Sequence, residues 1–436
     1  MSKRLTPLPL KNNVAKPWKK ITFNSHTSKI MNIRLTLLST LSIACALPLN
    51  AAEMTDVEFV GYKVTHHMGA IIQHLDKFGF NTFDHPPMPD HRFFVITPAL
   101  DHFYSKAVID TRWGPVIVDT PARDDRYASL LVTDMEHFGI YAEVTDPKGQ
   151  RFVVVREDYD GPMPEGTVIK TKSNFPLIFL RTQTFAFNED KLSDGIRRQA
   201  RIHGAWQDVD LPNEKNPQEI IKWTMENSLR YPQTKGLMEK GAASYTAEVH
   251  KKTFDHVYNY LQTGKVTGSA GMFDAVDSPT GASHLVRAAG CLLGHLGFPT
   301  HHAYYQNTPV DREGKLLSGE SGPFVLTIPH DPGVDLFWSV TRYRNSTRLP
   351  LNPADIGGSN VQAYNAFNTK PDKDGNVTIT FSTKDPKDGT YWMPVTDGYY
   401  FISRYYGPNA KMNGNTAHDL LFKGTKFAEM FKATKF

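Results

Sequence analysis

The sequence predicts a mainly β protein with an α-helical middle segment, its strands divided between two β-rich lobes. Three observations carry this expectation. Short runs of β-branched and aromatic residues, bounded by turn residues, fill both the first and the last stretch of the body. The segment between about Glu189 and Leu296 switches to apolar residues at three- and four-residue spacing. And 436 residues exceed the roughly 250–300 at which a single hydrophobic core stops growing.

Residues 1–52 read as an N-terminal extension and signal peptide. They hold eight basic residues and no acidic one. Met31 and Arg34 open a short positive start, Leu35 to Leu49 form an apolar run too short to span a bilayer as a helix, and Asn50-Ala51-Ala52 offers small residues to a signal peptidase. Met31 is then the expected start. A lipoprotein at Cys45 ranks second, because Ser42 stands where Leu is expected. The expected location is periplasmic or secreted, with no membrane-spanning segment after the leader.

The formal charge of +4 suggests an anionic partner, but it resides in the leader. The remainder carries 41 basic and 45 acidic residues, so it has no electrostatic footprint for nucleic acid. With cleavage near Ala52 only Cys291 remains. No intramolecular disulfide can then form, and Cys291, in an apolar helical run, reads as a small buried hydrophobe.

Along the body, Val60, Val64, Met68, Ile71, Ile72 and Leu75 recur at helical spacing and predict a helix over 58–78. A Pro/Asp/His-rich loop, 84–90, follows. Strands are expected over 92–97, 107–111, 115–120, 129–132, 152–156 and 177–181, the spacing of an antiparallel sandwich or barrel. In the middle, Asn216-Pro217-Gln218-Glu219 is a helix start, with Asn to cap free amides and Pro at the first turn. Further helices are expected over 245–261 and 284–296. Strands return over 324–328, 335–343, 377–383 and 399–406, with Lys373-Asp374-Gly375-Asn376 as a turn signal.

Phosphate loops, serine-nucleophile elbows and His-Glu-x-x-His zinc sites are missing. The histidines His66, His67, His74, His85, His91, His102 and His137 crowd into the N-terminal lobe. His67 and His74 lie two helical turns apart, and Asp90 stands beside His91, so a mixed nitrogen and oxygen shell can be drawn. Their spacing fits no ligand motif, and they read as surface or hydrogen-bonded core histidines, with no metal and no cofactor. His295, His301 and His302 around Gly297-Phe298-Pro299 read as a turn.

Two stretches join polar groups to aromatics. One runs from Asp101, Tyr104 and Ser105 through Asp110 and Gly114-Pro115 to Arg126-Tyr127 and Asp134. The other is Phe337-Trp338-Ser339-Val340-Thr341-Arg342-Tyr343, echoed by Trp392 to Pro394 and by Arg404 to Tyr406. Flat rings beside guanidiniums suit a sugar or a carboxylate-bearing small molecule. The same residues would also serve as sandwich core and internal ties.

These motifs resemble a pair of bacterial families, domain of unknown function 1254 followed by domain of unknown function 1214. Asp101, Tyr104, Ser105, Asp110, Gly114, Pro115, Arg126, Tyr127 and Asp134 match the first in order. Ala99 and His102 depart from its usual Asn and Thr. Phe337 to Tyr343, Asp374-Gly375, Trp392 to Pro394 and Arg404 to Tyr406 match the second. The resemblance covers about 58–190 and 300–415. It implies two jelly-roll-like antiparallel β-sandwich lobes, 53–190 and 300–436, joined by a helical linker region, 191–299. It implies no activity.

Three functional readings stay open. A small polar ligand, a saccharide or an organic acid, could bind in a cleft between the lobes against Arg126, Trp338, Arg342, Trp392 and Arg404. A hydrolase or lyase could use Asp101 or Asp134 as base and Tyr104 as proton donor, with Arg126 on an anionic group. A structural or host-interaction protein would use the same aromatics only as core. The ligand, the oligomeric state and whether the chain is an enzyme are not legible in the sequence.

Overall fold

The computed structural model describes residues 54–93, 95–185, 190–262, 268–311, 313 and 315–409; the expected leader lies outside them. The chain opens with helix α1 (Asp56–Phe78) and continues through strands β1 (His102–Val108), β2 (Val116–Thr120), β3 (Ala128–Thr133), β4 (Gly139–Val144), β5 (Gln150–Arg156), β6 (Thr167–Thr171) and β7 (Leu177–Gln183). Helix α2 (Asp190–Arg197) and strand β8 (Arg201–His203) close the N-terminal lobe. Helices α3 (Pro217–Glu226), α4 (Pro232–Ser244), α5 (Ala247–Gln262) and α6 (His284–Gly294) follow. The C-terminal lobe holds β9 (Ala303–Thr308), β10 (Phe324–Ile328), β11 (Val334–Arg344), β12 (Ala363–Asn365), β13 (Val377–Ser382), β14 (Tyr391–Pro394) and β15 (Tyr399–Pro408).

The fold is mainly β with helices in its middle, as expected. The N-terminal lobe contains a sheet of order β1-β7-β3-β4 and a second of order β6-β5-β2-β8. Ala107, Val116, Val118, Leu130, Val132, Phe152, Val154, Ile178 and Leu180 share one buried cluster drawn from both sheets. Because side chains alternate along a strand, β7 sends Ile178 and Leu180 to this cluster. Leu177, Phe179 and Arg181 go to the opposite face. In the C-terminal lobe the sheets run β10-β13-β14 and β12-β11-β15-β9. Trp338, Val340, Ile379, Phe381, Tyr399, Phe401 and Tyr405 form their shared core. Pairing is antiparallel except for β5 with β6 and β13 with β14, which are parallel.

The largest core joins α1, the central helices and the faces of β7, β11 and β15 that look away from the sandwich interiors. Helix α1 is built for this place. Glu58 accepts a hydrogen bond from the Thr55 amide at 2.6 Å at its start, and Val60, Val64, Met68, Ile71 and Leu75 are buried along one stripe.

Four departures from the expected elements have physical reasons. Among the described residues of 92–97 none is in a strand: Thr97 sits at φ 53°, and its amide donates to Arg348 O rather than to a ladder. The last central helix ends at Gly294, because His295 turns the chain at φ 50° and ψ −78°. Strands β4 and β6 are partly exposed and lack a continuous apolar run. Helix α4 carries Gly236 and Gly241 and almost no apolar stripe.

Candidate functional site

A cavity of about 190 Å³ lies where β1 and β7 of the N-terminal lobe meet β9 and β15 of the C-terminal lobe. Alternation along four strands supplies its walls. Tyr104 and Lys106 come from β1, Leu177, Phe179 and Arg181 from β7, Tyr305 and Asn307 from β9, and Ile402, Arg404 and Tyr406 from β15. Ala70 and Gln73 of α1, Pro86, residues 93 and 95–99, Ser269, Phe273, and Leu293 to Gly297 at the end of α6 complete it. The wall is mostly apolar. It presents two guanidiniums and one ammonium, and among the described residues no Asp or Glu lines it.

Arg181 differs from the other cations in this wall. Its side chain is 5% exposed, its Nη2 donates to Leu296 O at 2.6 Å, and its guanidinium stacks 3.7 Å from the Phe298 ring centre. Its Nη1 is buried with no hydrogen-bond partner. A buried donor on a charged group without an acceptor is costly, and Arg181 is among the residues that line the cavity. Arg404 is more occupied: Nη1 donates to Thr341 Oγ1 at 3.0 Å, and Nη2 to Thr97 O at 2.9 Å and Tyr343 Oη at 2.8 Å. Lys106 faces Asp84 at 3.7 Å.

Of the residues singled out in the sequence, Tyr104 and Arg404 line this cavity. Tyr104 Oη accepts from the Ala99 amide at 2.9 Å, and its ring stacks on Phe179. Burial pushes its hydroxyl up to about 12, so it is protonated at neutral pH. Asp101 lies behind the wall, 1% exposed. It accepts from Ser339 Oγ at 2.7 Å and Asn365 Nδ2 at 2.9 Å, and burial raises its pKa against those two hydrogen bonds.

The other residues lie elsewhere. Asp134 caps the β3–β4 turn, accepting from the Glu136 and Phe138 amides, each at 2.9 Å, and from Tyr231 Oη at 2.5 Å. Arg126 is bound bidentately to Asp124 and donates to Ser193 Oγ at 2.6 Å; it shares no hydrogen bond with Asp101 among those described. Trp338 and Arg342 project into the C-terminal sandwich. There Arg342 donates to Pro394 O, Val361 O and Gln362 Oε1. Trp392 donates from Nε1 to Ser382 O at 3.0 Å. Period-two alternation separates them: in β11 the register pairs Ser339 with Arg404, and Trp338 and Arg342 therefore face away from the cavity.

Arg181 escaped the sequence reading because it ends an expected strand. The available signal was a guanidinium closing the otherwise apolar Leu177-Ile178-Phe179-Leu180 run. The histidines group differently from the arrangement drawn on the sequence. His74 Nε2 lies 3.2 Å from Thr82 O and Asp90 pairs with Arg92, whereas His67 meets His137 and His295.

Fold and cavity together define a mainly β protein of four sheets with a small, partly open cavity between its N-terminal and C-terminal sheets. Residues 80–203 match the model of a protein family of unknown function, DUF1254, and residues 302–410 that of another, DUF1214, in the order that the motifs indicated. No curated protein matches the sequence. The crystal structure of the VPA0106 protein from Vibrio parahaemolyticus is similar, at 22% identity and a TM-score of 0.60, over 81% of this chain and 96% of that one. An uncharacterised protein from Burkholderia cenocepacia aligns over 81% of this chain and 91% of its own at 14% identity, with a TM-score of 0.45. The first likeness concerns the fold alone. Among the described residues no helix is long and apolar enough to cross a membrane.

Proposed function

We propose that this protein binds a small organic acid in the cavity between its lobes, with the ligand's carboxylate on Arg181 and its apolar body against Phe179, Phe273 and Leu177. The observation that carries this reading is the unpartnered Nη1 of a buried guanidinium in a chamber whose wall holds no carboxylate. A guanidinium recognises a carboxylate with charge-assisted hydrogen bonds, and an apolar wall with few convergent polar groups is the usual form of a small-molecule site. The same wall disfavours a saccharide, whose many hydroxyls would lose water without gaining partners. The volume, under the roughly 300–1,000 Å³ of drug-sized pockets, favours a short acid over a large one.

The leader pattern supports an exported, periplasmic or secreted site of action, and fractionation of expressing cells, with the mature N-terminus sequenced, checks it. Recovery of an unprocessed chain in the cytoplasm would oppose export. The binding reading is tested by calorimetry and thermal shift against a panel of short carboxylic acids and neutral monosaccharides. Acids alone should raise the melting temperature. A response to the sugars, or to neither class, would overturn the reading.

A further inference from the structure

Three imidazoles from distant stretches of the chain converge beside the cavity. His67 comes from the middle of α1, His137 from the β3–β4 turn, and His295 from the residue that ends α6. Each offers one ring nitrogen, and these atoms lie within 4.8 Å of one another. His67 Nδ1 and His295 Nε2 are 3.0 Å apart, and the rings of His137 and His295 are stacked, 12° from parallel. His67 and His137 are buried, while His295 reaches the cavity wall. His67 Nε2 is buried without a hydrogen-bond partner. His137 Nε2 donates to His295 O at 2.5 Å, which leaves Nδ1, 3.0 Å from Cys291 Sγ, as the nitrogen with a lone pair to offer.

A neutral imidazole offers one ring lone pair to a metal. Two of the three stand at positive φ, His137 at 64° and His295 at 50°, a backbone region rarely used by side-chain-bearing residues. A cation here meets opposing influences: Lys63 bears on His67 and His137, and the carboxylates of Asp134 and Glu136 bear on Lys63.

We propose that His67, His137 and His295 form a binding site for a divalent first-row transition metal of the zinc class, bordering the cavity through His295. Three imidazoles are the protein ligands of one class of open zinc sites, His295 lies on the cavity wall, and imidazole nitrogen suits Zn, Co, Ni and Cu rather than Mg or Ca. The site stands independently of the organic acid reading, which rests on Arg181.

The test uses the full chain, stripped with a chelator and confirmed folded by its melting curve, then titrated with Co(II) near neutral pH. One Co(II) per chain should bind, give visible ligand-field absorption, be displaced by Zn(II), and show imidazole nitrogens in its X-ray absorption spectrum. His295→Gln should weaken binding at least ten-fold, whereas His301→Gln, on an exposed residue, should leave it unchanged. X-ray absorption on the unmutated chain decides the matter even if His295→Gln fails to fold. No stoichiometric uptake by folded chain, oxygen ligands alone, or wild-type affinity in a folded His295→Gln variant would each overturn the site. Arg181→Met should bind Co(II) normally, so failure of one proposal leaves the other readable.

Discussion

Asp101, just before the first strand of the N-terminal lobe, accepts a hydrogen bond at 2.7 Å from Ser339 in β11, 238 residues further along the chain. The second carboxylate oxygen takes one from Asn365 at 2.9 Å. The carboxylate is thus a buried tie between the two β-rich lobes. Burial raises its pKa, so the folded state holds the proton more tightly than the unfolded one. Its contribution to stability is complete below the unfolded value, about 3.9, and is lost as pH rises through the folded value. Asp101→Asn retains an acceptor for Asn365 and can donate to Ser339 Oγ without the charge. Its stability in urea should therefore gain on the parent as pH rises from about 4 to neutrality. Asp101→Ala, which strands both partners, should cost about 1–3 kcal/mol. A pH-independent difference between the Asn variant and the parent would show that the charge is already balanced.

Arg181→Met removes the guanidinium that lies over Phe179 and Phe298 and keeps an unbranched apolar side chain. A hydrogen bond to a charged group contributes about 1.5–3 kcal/mol, so affinity for short carboxylic acids should fall about ten- to hundred-fold. The ligand-free melting temperature should change little, because the lost bond to Leu296 O is offset by removal of a buried, half-satisfied charge. Calorimetry on parent and variant checks both. Unchanged affinity would remove Arg181 from the site.

Arg342 makes the opposite case. Its guanidinium satisfies three buried acceptors inside the C-terminal sandwich, and burial lowers its pKa to about 9. Arg342→Met leaves those acceptors bare and should cost about 3 kcal/mol or more. Acid binding by the remaining folded protein should not change. Loss of ligand affinity at constant stability would instead place Arg342 in the site.

Two glycines of α1 should respond in opposite directions. A Cβ at Gly61 would come within 2.7–2.9 Å of the Tyr245 ring, while one at Gly69 meets nothing within 4 Å. Gly69→Ala should stabilise by about 0.5–1 kcal/mol through helix propensity. Gly61→Ala should destabilise by about 1–3 kcal/mol through overpacking. Paired denaturation curves check this, and equal shifts would mean that Tyr245 is free to move aside.

What is legible of the fold is what local pattern writes. The stripe from Val60 to Leu75 marks α1, Asn216 and Pro217 mark the start of α3, and alternating apolar runs mark β10, β11, β13 and β15. Each is a short-range signal, because helix and strand periodicities repeat within a few residues. Segment 92–97 has the composition of a strand, yet its residues 93 and 95–97 line the cavity as irregular chain. The turn at Thr97 is held by Arg348 O, a partner far along the chain and outside local reach.

By itself the sequence determined a mainly β body with central helices and the pairing of two family motifs; of its candidate site residues, Tyr104 and Arg404 lie on the cavity wall. Tertiary structure alone decided which face of each strand looks into the chamber, and so turned Trp338 and Arg342 inward while leaving Arg181 with an open donor. It also brought His67, His137 and His295 together. The reason is distance along the chain: period-two alternation says that neighbours diverge but not which face meets which lobe, and no spacing rule connects ligands separated by 70 and 158 residues.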